Sequence, residues 1–256
     1  MPGTVRRFAY TDGYISETAP REGKSMAEQD KQAQRAALTA EGIVAAATEL
    51  IERDGLAAFT MRSLGRELGV SAMAVYGYFP SRDTLLAAVL ERFMGTMDTD
   101  PVPGERWDDT LRRTMTSIYR EELAHPEVAS IDVNPQAAGN GLAAHTEKIV
   151  SLHLAQGMPE PVLRQAWAMV DAYLTGFVGN AIALQAEAER KGVSAAELRE
   201  EGGGGADGKA AAAPLWQRIV RSAYTEEAFA HGVEIIIQGI RALSAPDPCA
   251  WRTPEE

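Results

Sequence analysis

Between Val70 and Ser81 the chain sets Ser71, Ala72, Met73 and Tyr76 at spacings of one, three and four residues, with no charged side chain among them. Wound as a helix, this segment carries all four on one face and turns Val75 and Phe79 inward. The chemistry open to such a face is recognition. A serine hydroxyl can hydrogen-bond a base or a phosphate, whereas alanine and methionine offer only apolar contact, and thymine methyls are the matching groups in a major groove. Tyr76 and Tyr78 add rings and hydroxyls suited to phosphates, which fix register. Thr60, Arg62 and Arg82 stand at predicted helix starts, where the helix dipole also favours an anion. The competing role for Met73 is partial core packing, and for Arg62 and Arg82 it is a solvated surface charge. No Arg or Lys is placed to read guanine, so the segment suits a duplex recognised through shape and A·T contacts. Gly77 costs about 1 kcal/mol of helix stability relative to Ala, and a close approach to a DNA backbone is one rationale for it.

Four short helices must position these residues. Thr39 can cap a first helix with Ile43, Ala47, Leu50 and Ile51 at helical spacing, ending at Asp54-Gly55. Thr60 can cap a second, bearing Met61, Leu64 and Leu68 and stopped by Gly69. Ser71 can cap the third, closed by Pro80, and Ser81 a fourth with Leu85, Leu86, Val89, Leu90 and Phe93 as its stripe. The second and third, joined across Leu68-Gly69-Val70-Ser71, have the length of a helix-turn-helix.

The string FTMRSLGRELGVSAMAVYGYFPSRDTLL, residues 59–86, preceded by GIVAAATELIERDG, resembles the tetracycline-repressor (TetR) family of bacterial transcription regulators. The shared pattern is a helix, a glycine, a Thr-capped helix, Leu-Gly-Val-Ser, a recognition helix with an aliphatic-Tyr pair, an aromatic, and a basic residue opening the fourth helix. It covers about a quarter of the chain; beyond it the likeness is architectural. The resemblance implies an all-α protein, with an N-terminal helix-turn-helix bundle of three to four helices joined to a larger helical regulatory and dimerisation domain. It implies a homodimer whose two recognition helices, about 34 Å apart, read a palindromic operator until a small-molecule effector releases them through the fourth helix.

Composition agrees with such a division of labour. The 256 residues carry a net charge of −11, but residues 1–38 are net +1, 39–96 net −2 and 97–256 net −10. Residues 1–36 read as a mobile tail whose Arg6, Arg7, Lys31 and Arg35 either assist DNA binding or are passive. The helix-turn-helix domain is expected over 37–97. Asp98 to Gly104 forms a hinge, and a helical ligand-binding and dimerisation domain follows over 98–245, with a flexible Gly/Ala-rich loop at 201–213 and a C-terminal tail at 246–256. No run of about 18 uninterrupted apolar residues occurs, no secretory leader is evident, and one cysteine forms no internal disulfide, so a cytoplasmic protein is expected. His125, His145, His153 and His231 lack metal-ligand spacing, so neither metal nor cofactor is expected.

In the larger domain Trp107, Met115, Tyr119, His153, Trp167, Met169, Tyr173 and Phe177 suit a largely apolar ligand cavity, or ordinary core. A cavity over roughly 300 Å³ favours a ligand-responsive regulator, and a solid core a constitutive DNA-binding or scaffold protein. Asp171 and Asn180, inside the most apolar helix, either meet a ligand's polar group or belong to a solvent-facing Arg164–Ala168–Asp171–Thr175 stripe. That helix, 161–190, is apolar on two faces, and Ile235 widens the stripe of the last one, from Thr225, beyond a simple surface arc. The two are therefore the expected pair for a two-fold four-helix interface, through Leu174, Val178 and Ile182 on one and Phe229, Val233, Ile236 and Ile240 on the other. The alternative is that both are central in a monomeric bundle. Enzyme signatures such as G-x-S-x-G or a Gly-rich phosphate loop are absent from the sequence.

Overall fold

The computed structural model describes residues 38–132, 141–200, 214–244 and 251–254. The expected N-terminal tail, the loop at 201–213 and most of the C-terminal tail lie outside these residues. From Leu38 onward the chain is one compact unit. Among the described residues its regular structure is helical, apart from an isolated bridge between Arg106 and Arg252.

The N-terminal bundle forms because each helix start carries its own cap. Helix α1 (Ala40–Asp54) begins where Thr39 Oγ1 accepts the Gly42 amide at 3.0 Å, and it buries Ile43, Val44, Ala47, Leu50 and Ile51. Helix α2 (Met61–Glu67) opens on a reciprocal capping box between Thr60 and Ser63. Ser71 caps α3 (Ala72–Tyr76), and a second box between Ser81 and Thr84 opens α4 (Arg82–Met94). Gly69, at φ +66°, supplies the left-handed turn between α2 and α3. The inward faces meet in a core with Leu64, Val75, Leu85 and Val89 fully buried.

The expected boundary at 97/98 is not where this core ends. Val128 and Ile131 are buried in it, carried there by the short α6 (Pro126–Ala129), which follows α5 (Trp107–Ala124). The 98–104 segment is also held: the Arg113 guanidinium donates to the Asp98 carboxylate and to the carbonyls of Asp98 and Asp100.

The larger domain adds α7 (Gly141–Ala155), α8 (Glu160–Lys191), α9 (Ala195–Glu200), α10 (Leu215–Ser222) and α11 (Glu226–Leu243). Helices α5, α8 and α11 share a second core around Trp107, Met115, Tyr119, Phe177, Phe229 and Ile237. Of the expected C-terminal tail, the described residues 251–254 bring one side chain, Trp251, into that core. Trp251 is buried edge-on against Trp107, and backbone bonds tie Trp251, Arg252 and Thr253 to Trp107, Gln156 and Glu105. An aromatic amid Pro and Cys residues was the signal for this.

Helix α8 is apolar enough over an 18-residue window to match a bilayer span by composition, with a mean hydropathy of 1.2. Asp171 and Asn180 interrupt it, and Leu163, Ala166, Phe177, Val178 and Ala181 pack into the chain. Only 17% of that window is buried, so much of its apolar surface is left open.

Candidate nucleic-acid interface and effector cavity

Helix α3 stands against α2 at a separation that leaves little room for a side chain. A Cβ on Gly65 would lie 3.0 Å from the Ala72 amide nitrogen and 3.0 Å from the Val70 carbonyl oxygen, both backbone atoms. The tight turn is held by the Val70 amide donating to the Gly65 carbonyl at 2.8 Å. Val75 is fully buried, so the opposite side of α3 faces outward, as its spacing predicts. Met73 is 75% exposed there, with Ser71, Tyr76 and Gly77 exposed around it and Ala72 half-buried. Core packing of Met73 is thereby set aside. Ser71 Oγ accepts the Ala74 amide at 3.3 Å, which leaves its O–H to donate. Gly77 closes the helix with ordinary right-handed geometry.

The flanking residues divide. Thr60 is committed to its capping box, and Arg62 is exposed at the first turn of α2. Tyr78 donates its hydroxyl proton to the Leu38 carbonyl at 2.7 Å, fastening the start of α1. A phosphate only accepts, so this geometry gives Tyr78 a structural task in place of the phosphate contact expected of it. Arg82 lies 5.7 Å from the Phe59 ring centroid and reaches the Leu56 carbonyl at 3.4 Å, so it too is partly structural. Arg53 is bound to Asp54 and Glu67, which raise its pKa while their own are lowered.

The larger domain encloses a cavity of about 210 Å³ between α4, α5, α7 and α8. This is below the roughly 300 Å³ that sequence reasoning set as a mark for ligand sites. Half of its wall is Met, Leu and Ile, and of the expected residues it includes Met115, His153, Trp167 and Asp171. His153 is buried with Nδ1 3.1 Å from Gln156 Oε1, and burial pushes its pKa down. The stripe Arg164–Ala168–Asp171–Thr175 is exposed as the alternative required, yet Asp171 and Thr175 also border the cavity.

Other expected ligand residues are elsewhere. Tyr119, Tyr173 and Phe177 form an aromatic cluster with Phe229, Tyr119 stacking on Phe229 at 4.3 Å. The Tyr173 hydroxyl donates to the Phe229 carbonyl at 3.0 Å. Desolvation of the phenols raises the pKa of both tyrosines. Trp107 is core, Met169 faces outward, and Asn180 is exposed on α8 with its amide donating to the Gly176 carbonyl at 2.6 Å. Sequence reasoning missed Glu122 and His145, which do face the cavity. Glu122 falls four residues past Ile118 on α5, a continuation of the inward stripe that could have marked it.

Most of the residues expected at a dimer interface are turned into their own chain. Val178, Phe229, Val233, Ile236 and Ile240 are buried in the second core, and Leu174 and Ile182 pack partly against it. The open apolar surface of the same helices lies one position round: Met169 (58% exposed), Ile235 (73%) and Leu243 (70%). These three, with Val162, Gly239 and the expected Ile236 and Ile240, flank a groove of about 320 Å³ between α8 and α11.

Comparison with known proteins agrees with this architecture. The family model described as bacterial regulatory proteins, tetR family, matches residues 43–89, and that of the tetracyclin repressor-like C-terminal domain matches residues 100–244. The HTH-type transcriptional repressor DrrR1 of Streptomyces coeruleorubidus is 28% identical over 165 residues, 63% of this chain and 60% of that protein. An HTH-type transcriptional regulator of Saccharopolyspora erythraea is 30% identical over 141 residues, 55% of this chain and 60% of its own. The matches thus span about three fifths of these relatives' length. Among solved structures, the Streptomyces coelicolor TetR family protein ActR superposes with a TM-score of 0.60 at 23% identity, covering 81% of this chain and 98% of that one. A capped helix-turn-helix bearing an outward recognition face, a helical domain with its own cavity, and family models matching both parts lead to one conclusion: the chain belongs to the TetR family of bacterial regulatory proteins.

Proposed function

We propose that this protein is a homodimeric transcription regulator of the cytoplasm, a repressor that occupies a palindromic operator and is released by a small molecule. The observation that carries the reading is the outward face of α3. A methionine three-quarters exposed at the N-terminal end of a short helix, flanked by exposed Ser71 and Tyr76 and covered by no described part of its own chain, leaves that face open to a partner. A major groove takes such a helix end-first, with Ala72 and Met73 against thymine methyls, Ser71 on a base edge and Arg62 on a phosphate.

The second copy is best seated on the α8–α11 groove. Met169, Ile235 and Leu243 join Ile236 and Ile240 of the expected interface set along that groove, and the open face of α8 extends the same surface. Effector and DNA are linked through α4. Its last turn supplies Met94 to the cavity wall, with Met97 just beyond it, while its first turn carries Arg82 beside the helix-turn-helix. A second tie runs through α6: His125 Nδ1 lies 2.7 Å from Glu52 Oε1, and Glu127 accepts the Leu56 amide at 2.9 Å. An effector that binds the DNA-releasing arrangement more tightly shifts the balance toward it, and one without that preference shifts nothing.

Selection of bound fragments from random duplexes tests the reading, with an A·T-rich palindrome as the expected product. On that palindrome Met73→Ala is expected to weaken binding about tenfold while leaving non-specific binding unchanged. Arg62→Ala is expected to weaken both and to flatten the salt dependence by about one unit of slope. A purified protein that retains no duplex at low ionic strength rejects the proposal.

A further inference from the structure

The cavity wall has an unusual charge pattern for a site beside so many arginines. Among the described residues two carboxylates border it, Glu122 from α5 and Asp171 from α8, and no Lys or Arg does. The basic side chains nearby are engaged elsewhere: Lys148 on Asp100, Arg112 on Glu234 and Asp109, Arg113 on Asp98 and Glu105, and Arg120 on Glu226. Both histidines in the wall, His145 and His153, are shifted toward the neutral form by burial, His145 further so by Lys148. Glu122 is half-buried and accepts no hydrogen bond from any described residue, and burial alone pushes its pKa up. A half-buried carboxylate in a wall that also carries Met94, Ile118 and Ile149, with no counter-charge among the described residues, is a destabilising arrangement. Such a group marks a place where the missing partner arrives with the ligand.

The rest of the wall narrows that partner. Trp167 adds an indole to the wall, and Met94, Met97, Met115 and Met158 add four polarisable thioethers. An anion would meet two carboxylates and no donor of opposite charge. A neutral hydrocarbon would leave Glu122 as uncompensated as before. From this, and resting on the effector role just proposed for the cavity, we infer that the effector is a compact lipophilic cation, its positive group against the Glu122 carboxylate and the Trp167 ring, with Asp171 at the rim.

Three probes of one shape test this on the full-length protein: benzyltrimethylammonium, its uncharged carbon isostere neopentylbenzene, and phenylmethanesulfonate as the anion. Binding is read by titration calorimetry and by quenching of tryptophan fluorescence. The cation is expected to bind at least about tenfold tighter than the isostere, and the anion most weakly. Glu122→Gln should erase the preference for the cation while leaving the isostere's affinity unchanged, and Asp171→Asn should reduce it less. The unliganded thermal midpoint of Glu122→Gln should stay level or rise, since a desolvated charge is removed; this shows that the variant folds. Equal binding of cation and isostere, or a preference that survives Glu122→Gln, overturns the cationic effector and leaves the cavity as an effector site. Failure of all three probes to bind, with duplex binding intact, overturns both.

Discussion

Asp108, at the first turn of α5, is almost wholly buried and faces three guanidinium groups, those of Arg106, Arg112 and Arg241. Burial pushes its pKa up, but hydrogen bonding and attraction from these arginines outweigh that and hold it below the ordinary carboxylate value. Its stabilisation is therefore full above the unfolded-state value of about 3.9 and fades as pH falls through the lower folded value. Asp108→Asn leaves the three cations facing one another. Because they are about one third exposed, water screens part of that repulsion, and the expected loss at pH 7 is about 2–3 kcal/mol. Urea denaturation at pH 7 and again near pH 3.5 checks both parts: the variant's deficit should shrink at the lower pH. Little of this was legible beforehand, since Asp108 at a helix start reads as a dipole partner, and Arg241 is 133 residues away.

At the scale of the helix, α8 and α11 cross where Gly232 leaves room for Tyr173. A Cβ on Gly232 would lie 2.0 Å from the Tyr173 hydroxyl oxygen and 2.3 Å from the ring carbon that carries it. Gly232→Ala must displace that ring from its stack on Phe229 and from its hydrogen bond to the Phe229 carbonyl. The expected cost is about 1–3 kcal/mol. Gly176→Ala, on the open side of α8, meets no atom within 4 Å and should be neutral or stabilising by up to about 1 kcal/mol. Thermal melts of the two variants distinguish a steric role from mere helix propensity: equal shifts would discard the crossing argument. The N-terminal helices were legible because their caps are local, with Thr39, Thr60, Ser71 and Ser81 each bonding an amide three residues on. A crossing is not local, and Gly232 in the sequence is only a weak point in a helix.

For the whole molecule, the decisive surface is the groove between α8 and α11. Ile235→Asp puts a charge at its most exposed large apolar position without touching the chain's own core. The expected result is a protein of unchanged helicity whose mass by light scattering falls from dimer to monomer. Operator affinity should drop by more than about tenfold, because two half-sites are then bound independently. Val233→Asp, two residues earlier and on the buried face, should instead unfold the domain, since Val233 is buried. A dimer that persists in Ile235→Asp would move the interface to another face.

Helix type, helix boundaries near the caps, and the exposed recognition face follow from spacing and capping within a few residues of each position, so the sequence alone determined them. Which side of a two-faced helix meets its own chain is a question of packing between segments far apart in sequence. Tertiary structure alone therefore turned Val178, Phe229, Val233, Ile236 and Ile240 inward and left Met169, Ile235 and Leu243 open. For the same reason it fastened Tyr78 to Leu38, drew Trp251 into the core, and brought Glu122 from α5 to the same cavity as Trp167 from α8. A side chain's chemistry is written at its own position, but its partner is chosen by the fold.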